Sequence, residues 1–281
     1  MSDQHRRVAF LNEMGLGPVW SQRAATALLQ LDEDDAPAIN PVLASMPVVA
    51  ELRVAEPTSS PWADAESTAM DTVAPAIAKS VIPVTDVAHM DWDQLKSVVS
   101  TCTQCELCKN RTQTVFGVGD QKARWLFVGE GPGRNEDFQG LPFVGPAGKL
   151  LDNMFVAMGM KRGENTYIAN IVKCRPTDAN KRDRPPAAEE ANACLPYLER
   201  QIALINPTVI VALGKTAALS LLKLDPATPV SKLRGTVHRY AGRPVIVTYH
   251  PAYLLRSPAD KSKTWADLCL AMKTYAGSAD V

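Results

Sequence analysis

The clearest indication of the fold is Arg-Trp-Leu-Phe-Val-Gly-Glu-Gly-Pro-Gly, residues 124–133. It is a short apolar run that ends in a glycine-rich turn, a pattern typical of a buried strand. Three similar runs lie at 167–172, 208–214 and 244–249, with helical patterns at 147–158 and 189–202 between them. Strands that alternate with helices predict an α/β fold. We expect a three-layer α/β/α sandwich around a four-stranded, parallel, doubly wound sheet.

The N-terminal third differs from the rest of the chain in composition. Residues 1–30 predict a short helical segment, and residues 31–90 are acidic and rich in alanine and proline. Helix cannot propagate through prolines at this density, and the apolar residues follow neither the helical nor the strand period. We therefore predict a disordered linker over 31–90 and a folded domain over 91–281. Such a tail would serve as a tether to a replication or repair protein.

The charge is unevenly distributed. Residues 1–100 carry 6 basic and 14 acidic side chains, whereas residues 101–281 carry 24 basic and 16 acidic ones. The C-terminal part is therefore basic, as expected of a protein that faces a polyanion. The sequence has neither an apolar run of about 18 residues nor a secretory signal. These features predict a cytoplasmic protein with no membrane contact.

Polar side chains lie where the predicted strands end. Glu130 lies in the turn after the first strand, Asn170 lies in the second, and His250 follows the last. The carboxyl ends of parallel strands share one edge of the sheet, and ligands bind there. A carboxylate, an amide and a histidine at that edge predict an active site. Neighbouring candidates are Gly131, Glu136 and Phe143.

All six cysteines follow residue 100: Cys102, Cys105, Cys108, Cys174, Cys194 and Cys269. Stable disulfides are not expected in a chain without an export signal. The first three form two overlapping C-x2-C pairs, a common beginning of a metal or iron–sulfur site. The sequence predicts a metal site or buried thiols.

At this point the motifs resemble a known family. The motifs are GEGPG (129–133), Glu-Asp (136–137), PFVG (142–145), AGKLL (147–151), YIANIVKCRP (167–176) and HPAYLLR (250–256). In this order they closely resemble the family 4 uracil-DNA glycosylases, which are bacterial and archaeal enzymes with a 4Fe–4S cluster. The likeness covers about residues 95–275. It implies a bacterial base-excision repair enzyme, working at the nucleoid, that flips uracil out of DNA and hydrolyses its N-glycosidic bond without cutting the strand.

The resemblance also implies roles for the candidate residues. Asn170 matches the asparagine that reads O4 and N3–H of uracil, and Phe143 matches the aromatic ring on which the base stacks. Glu130 matches the active-site acid, and His250 matches the donor to uracil O2. Gly131 belongs to the turn that the ligand approaches. Glu136 is a reserve acid, or else it caps the next helix.

DNA contacts are implied at two loops. Leu254 falls where the family places a wedge that fills the vacated stack, although Tyr253 and Leu255 have similar claims. Arg256 follows in the same motif. Lys181 and Arg182 lie in a basic loop that would meet phosphates. The substrate is expected to be uracil-containing DNA, single- or double-stranded, bound by a monomer.

The family pattern selects Cys102, Cys105, Cys174 and Cys194 as ligands of a 4Fe–4S cluster. Cys108 remains an alternative to either member of the first pair, and zinc is an alternative occupant because four thiolates also suit it. Two other functions remain open. One is a sister group that traps uracil-DNA covalently, but its Glu-Gln pair and Arg-Arg-Ile-His loop are absent from this sequence. The other is a noncatalytic iron–sulfur DNA-binding module.

Overall fold

The structure, a computed structural model, describes Glu13 and residues 84–279. Six strands form one sheet in this part of the chain: β1 (Val118–Gly119), β2 (Trp125–Gly129), β3 (Thr166–Asn170), β4 (Val209–Leu213), β5 (Val237–Tyr240) and β6 (Arg243–Thr248). Their order in the sheet is β1-β3-β2-β4-β6-β5. The four central strands are parallel, and β1 and β5 pair antiparallel at the two edges.

The α-helices of the same part are α1 (Trp92–Thr101), α2 (Arg134–Gln139), α3 (Pro146–Ala157), α4 (Ala188–Ile205), α5 (Lys215–Leu222), α6 (Val230–Leu233), α7 (Pro251–Arg256) and α8 (Lys261–Ala279). Short 3-10 helices cover Val84–His89, Glu106–Lys109 and Pro258–Asp260. None of these helices is long and apolar enough to cross a bilayer.

Alternate residues of the buried strands face two separate cores. Leu126 and Val128 of β2 point into one core, which receives α1, α4 and α5. Trp125 and Phe127 point into the other, which receives α3, α7 and α8. Because a strand buried on both faces has no polar side, its sequence reads as a continuous apolar run. The predicted three-layer α/β/α sandwich is confirmed.

The sheet is larger than predicted. Its four parallel strands are the predicted ones, but the edge strands β1 and β5 were not foreseen. β1 is only two residues long, and side chains along β5 alternate between exposed and half-buried positions. β5 and β6 form a hairpin whose turn residues, Ala241 and Gly242, both have positive φ. That geometry is the signature of a two-residue hairpin turn.

The folded domain begins earlier than predicted. Residues 84–89 form a 3-10 helix, and Val87 and Met90 are buried in the first core. The boundary predicted at residue 91 therefore lies too far along the chain, since these apolar side chains have a core to enter. The remaining predictions for 1–30 and 31–90 lie outside the described residues, except at Glu13, whose main-chain oxygen accepts a hydrogen bond from Asn153.

Candidate active site

A cleft open to solvent lies at the carboxyl edge of the parallel strands. β2 has β3 on one side and β4 on the other, so the chain changes direction across the sheet at β2. Such a switch point is where doubly wound sheets bind ligands. The cleft brings together all six residues predicted for catalysis and base binding: Glu130, Gly131, Glu136, Phe143, Asn170 and His250.

Asn170 is the last residue of β3 and is only 1% exposed. Its Oδ1 has no hydrogen-bond partner among the described residues. A buried polar atom without a partner is costly, and such atoms are rare unless a ligand or water completes them. Since this amide lines the cleft, it is ready to pair with a polar group of a bound molecule.

Gly129 allows the amide and an aromatic ring to meet. A Cβ at this position would lie 2.4 Å from Asn170 Oδ1 and 2.6 Å from Phe143 Cζ. Any larger residue would therefore push the amide or the ring out of place. Glycine is required at the end of β2 because the Asn170 and Phe143 side chains approach its backbone closely.

Phe143 has a φ of 55°, in the left-handed region that a non-glycine residue seldom adopts. Arg162 secures this conformation. Its Nη2 donates to the main-chain oxygen of Phe143 at 3.0 Å and its Nη1 to that of Pro142 at 3.2 Å, while its Nε pairs with Asp152 at 2.6 Å. The ring is thus held in place from behind the cleft, and Arg162 is a residue that sequence reasoning missed.

His250 is the N-cap of α7. Its Nδ1 accepts a hydrogen bond from the main-chain N–H of Ala252 at 3.1 Å, and its ring lies 5.5 Å from that of Phe143. Burial, with a smaller contribution from Arg256, lowers the pKa of His250 to about 4. The imidazole is therefore neutral near pH 7, and its proton resides on Nε2 because Nδ1 is an acceptor. His250 can donate one hydrogen bond without carrying charge.

Glu130 follows β2 directly. Burial raises the pKa of its carboxyl group, and a hydrogen bond from Thr216 Oγ1 to Oε2 opposes that rise. Thr216 lies in the first turn of α5, beyond β4, and sequence reasoning did not single it out. Its only sequence signal is its place just after a strand end.

Glu136 belongs to the loop that shapes the cleft. Its Oε1 accepts hydrogen bonds from the main-chain N–H groups of Val144 and Gly145, both at 3.0 Å. Gly145 is the N-cap of α3. This geometry favours the helix-capping alternative over the reserve acid, because the oxygen is already committed to backbone donors.

The wedge prediction for Leu254 is wrong. This side chain is fully buried in the second core, whereas Leu255 is 45% exposed. A wedge must project from the surface, so Leu255 is the leucine of this helix that meets the requirement. Arg256 is exposed beside it, and Lys181 and Arg182 are exposed in the loop between β3 and α4.

Five of the six cysteines line a second cavity: Cys102, Cys105, Cys108, Cys174 and Cys194. Cys269 packs against the other core. Four of the sulfurs accept hydrogen bonds: Cys102 from Tyr197 Oη at 3.2 Å, Cys174 from Arg111 Nη1 at 3.1 Å, Cys194 from the Lys173 N–H at 3.3 Å and Cys105 from the main-chain N–H of Leu107. Hydrogen-bond donors of this kind surround protein-bound iron–sulfur clusters and help to set their reduction potentials.

Four thiolates can hold either a 4Fe–4S cluster or a single zinc ion. Within residues 84–279 no three His, Cys, Asp or Glu side chains converge closely enough to hold one metal ion. Thiolates on one tetrahedral zinc, with Zn–S near 2.3 Å, would stand about 3.8 Å apart. In a 4Fe–4S cluster the thiolates bind different irons and surround a larger volume. Burial raises the pKa of Cys174 to about 11 and that of Cys194 to about 12, so binding would release their protons.

Comparison with known proteins agrees with this geometry. The family model described as the uracil DNA glycosylase superfamily matches residues 116–269, which is more than half of the chain. A type-4 uracil-DNA glycosylase of Archaeoglobus fulgidus is 44% identical over 172 residues, covering 59% of this chain and 84% of the relative. The type-4 uracil-DNA glycosylase of Thermotoga maritima is 46% identical over 164 residues, covering 58% of this chain and 82% of the relative. That of Pyrobaculum aerophilum is 40% identical over 187 residues, covering 64% of this chain and 93% of the relative. The chain therefore belongs to the uracil DNA glycosylase superfamily and, within it, to the type-4 uracil-DNA glycosylases.

Proposed function

We propose that the protein excises uracil from DNA in base-excision repair, leaving an abasic site and an intact strand. The observation that carries the proposal is the buried amide of Asn170, whose Oδ1 is unpaired in a cleft that also holds Phe143 and His250. The Asn170 amide presents an acceptor and a donor side by side. That pair matches N3–H and O4 of uracil, whereas cytosine carries an acceptor and an amino group at these positions.

The remaining groups suit bond cleavage. As the glycosidic bond breaks, the sugar becomes cationic and uracil leaves as an anion. The neutral His250 donates from Nε2 to the developing charge on uracil O2, and Phe143 supports the base by stacking. Glu130 supplies negative charge near the sugar and orients the water that adds to it. We expect base removal without strand cleavage.

DNA would be held at the exposed loops. Leu255 fills the space that the flipped nucleotide vacates, and Arg256, Lys181 and Arg182 meet phosphates. Because its substrate is DNA, we expect the enzyme to work in the cytoplasm, at the nucleoid; we also expect a monomer. The N-terminal tail remains a candidate tether for a replication or repair partner.

Cys102, Cys105, Cys174 and Cys194 would hold a 4Fe–4S cluster. Such a cluster supplies cross-links, joining the segment after α1 to the segment after β3 and to α4. Cys108 is then a spare thiol at the edge of the same cavity. All four of these sulfurs accept hydrogen bonds, Cys105 from the main-chain N–H of Leu107, whereas none is found on Cys108 among the described residues, which supports the choice.

The test is a gel assay on a labelled oligonucleotide with one uracil, followed by alkaline cleavage. Purified protein is compared with Glu130→Ala and His250→Ala variants. Multiple turnover by the unaltered protein, and its loss in both variants, is the expected result. A denaturant-resistant shifted band would instead identify a covalent trap. Absence of both product and adduct would favour a noncatalytic DNA-binding module.

A further inference from the structure

Thr216 is the described residue that donates a hydrogen bond to the Glu130 side chain: its Oγ1 contacts Oε2. A carboxylate can only accept, so the threonine hydroxyl must direct its hydrogen toward the glutamate. None of the described residues donates to the other oxygen, Oε1. The contact therefore engages one oxygen of the acid and leaves the other available, in a residue that lines the cleft.

The fold fixes this contact in place. β2 and β4 are parallel neighbours in which Val128 pairs with Ala212. Glu130 and Gly214 consequently follow at matching positions beyond the two strand ends. Gly214 has a φ of 93°, and a Cβ there would lie 2.9 Å from His250 Cβ. This glycine lets α5 begin immediately after the strand, which brings Thr216 to the acid.

We infer that Thr216 is a positioning residue for the reaction: it keeps Glu130 ionised and turns Oε1 toward the sugar and the attacking water. This inference rests on the proposed function of Glu130. Threonine suits the task because its branched Cβ limits rotation, so the hydroxyl loses little freedom when it forms the bond. A hydrogen bond to a charged group is also among the stronger ones in proteins.

Other charged groups near the acid are already engaged or neutral. Glu136 accepts from two main-chain N–H groups, Asp183 pairs with Arg175 at 2.6 Å, and Arg184 pairs with Glu190 at 2.6 Å. His250 is neutral because burial lowers its pKa. Lys215, beside Thr216, is exposed to solvent. The Thr216 hydroxyl is therefore the local group that most directly offsets the burial of Glu130.

The experiment compares Thr216→Val, which keeps the shape and removes the hydroxyl, with Thr216→Ser, which retains it. Ser220→Ala removes a half-buried hydroxyl one turn further along α5 and is the matched control. Single-turnover excision rates on a uracil oligonucleotide are measured from pH 5 to 9, together with binding affinity for that DNA. Because Glu130 acts ionised, the rate rises as pH passes its pKa. Losing the donor raises that pKa further, so the acidic limb should move to higher pH.

For Thr216→Val we expect a rate near neutral pH that is lower by about 10-fold to 100-fold, since hydrogen bonds to charged groups are worth about 1.5–3 kcal/mol. The acidic limb should move to higher pH while DNA affinity stays the same. Thr216→Ser and Ser220→Ala should resemble the unaltered protein.

An unmoved pH profile in Thr216→Val, with or without a general loss of rate, would overturn the inference. Glu130→Gln distinguishes a failure of the role of Thr216 from a failure of the role of Glu130. If that variant is inactive while Thr216→Val is normal, only the role of Thr216 fails. If Glu130→Gln is fully active, the proposed role of Glu130 fails as well.

Discussion

Lys173 Nζ donates a hydrogen bond to the main-chain oxygen of Asn170 at 2.9 Å. The lysine is 1% exposed, and its second acceptor is Gln201 Oε1 at 2.7 Å. Lys173 immediately precedes Cys174 in the sequence and also lines the cysteine cavity. One buried side chain thus joins the segment that carries the cysteines to the residue that we propose reads the base.

Replacing Lys173 with methionine should destabilise the protein. The apolar chain would fill the same space but leave the Asn170 oxygen and the Gln201 amide without their donor, at a cost of about 1–3 kcal/mol. Denaturant unfolding measures the change. Lys149→Met, at an exposed position of α3, is the control and should leave the unfolding midpoint in place. Equal midpoints for the two variants would show that the buried contacts contribute nothing.

Asn170→Asp should slow uracil excision by about 10-fold to 100-fold, the value of one strong hydrogen bond. The carboxylate cannot donate to uracil O4, and it can accept from the amino group of cytosine. Excision is measured on matched oligonucleotides that carry uracil or cytosine at one position. An unchanged rate and an unchanged selectivity would show that Asn170 does not recognise uracil.

His250 should not set the pH dependence of excision. Its pKa is lowered to about 4, so the ring stays neutral throughout pH 5–9, whereas burial raises the pKa of Glu130 and makes this carboxyl group the expected source of the acidic limb. His250→Gln keeps a neutral donor and should retain more activity than His250→Ala, with the acidic limb unmoved. A limb that disappears in His250→Gln would instead identify the histidine as the titrating group.

Leu255→Ala should reduce excision from double-stranded DNA more than from single-stranded DNA, because only a duplex leaves a gap to fill when the base flips. Val156→Ala is a matched control: Val156 is 56% exposed and lies at the far end of α3 from the cleft. Leu254→Ala should lower the stability of the fold through a core cavity. Equal losses on both substrates would argue against a wedge at Leu255.

Cys174→Ser should abolish the brown colour and the iron content of purified protein. Cys108→Ser should retain both, as should Cys269→Ser at a distant site. Iron and sulfide analysis with the visible spectrum measures these outcomes. Full iron content in Cys174→Ser would exclude that ligand, and colour loss in Cys108→Ser would move the assignment to Cys108. Zinc without iron in the unaltered protein would show that the site binds zinc and not a 4Fe–4S cluster.

The buried strands could be predicted because burial on both faces leaves a long apolar run in the sequence. The residues at their carboxyl ends could be predicted too, since parallel topology brings them to one edge. The rotation of the short helix α7 could not: Leu254 and Leu255 are equally apolar, and only packing decides which enters the core. Thr216 and Arg162 act through contacts between separate segments, and Lys173 joins its near neighbour Asn170 to the distant Gln201. A single sequence has no local signal for such contacts.

The cysteine cavity has a consequence for the order of events during synthesis. Cys102 lies 95 residues before Tyr197, the residue that donates to its sulfur, and Arg111 lies 63 residues before Cys174. A ribosome releases the first thiol pair long before the later thiols exist. Chains fold from the N-terminus as they emerge, so a complete ligand set arises only after α4 has been made. For the proposed 4Fe–4S cluster, iron delivery would then be a late maturation step.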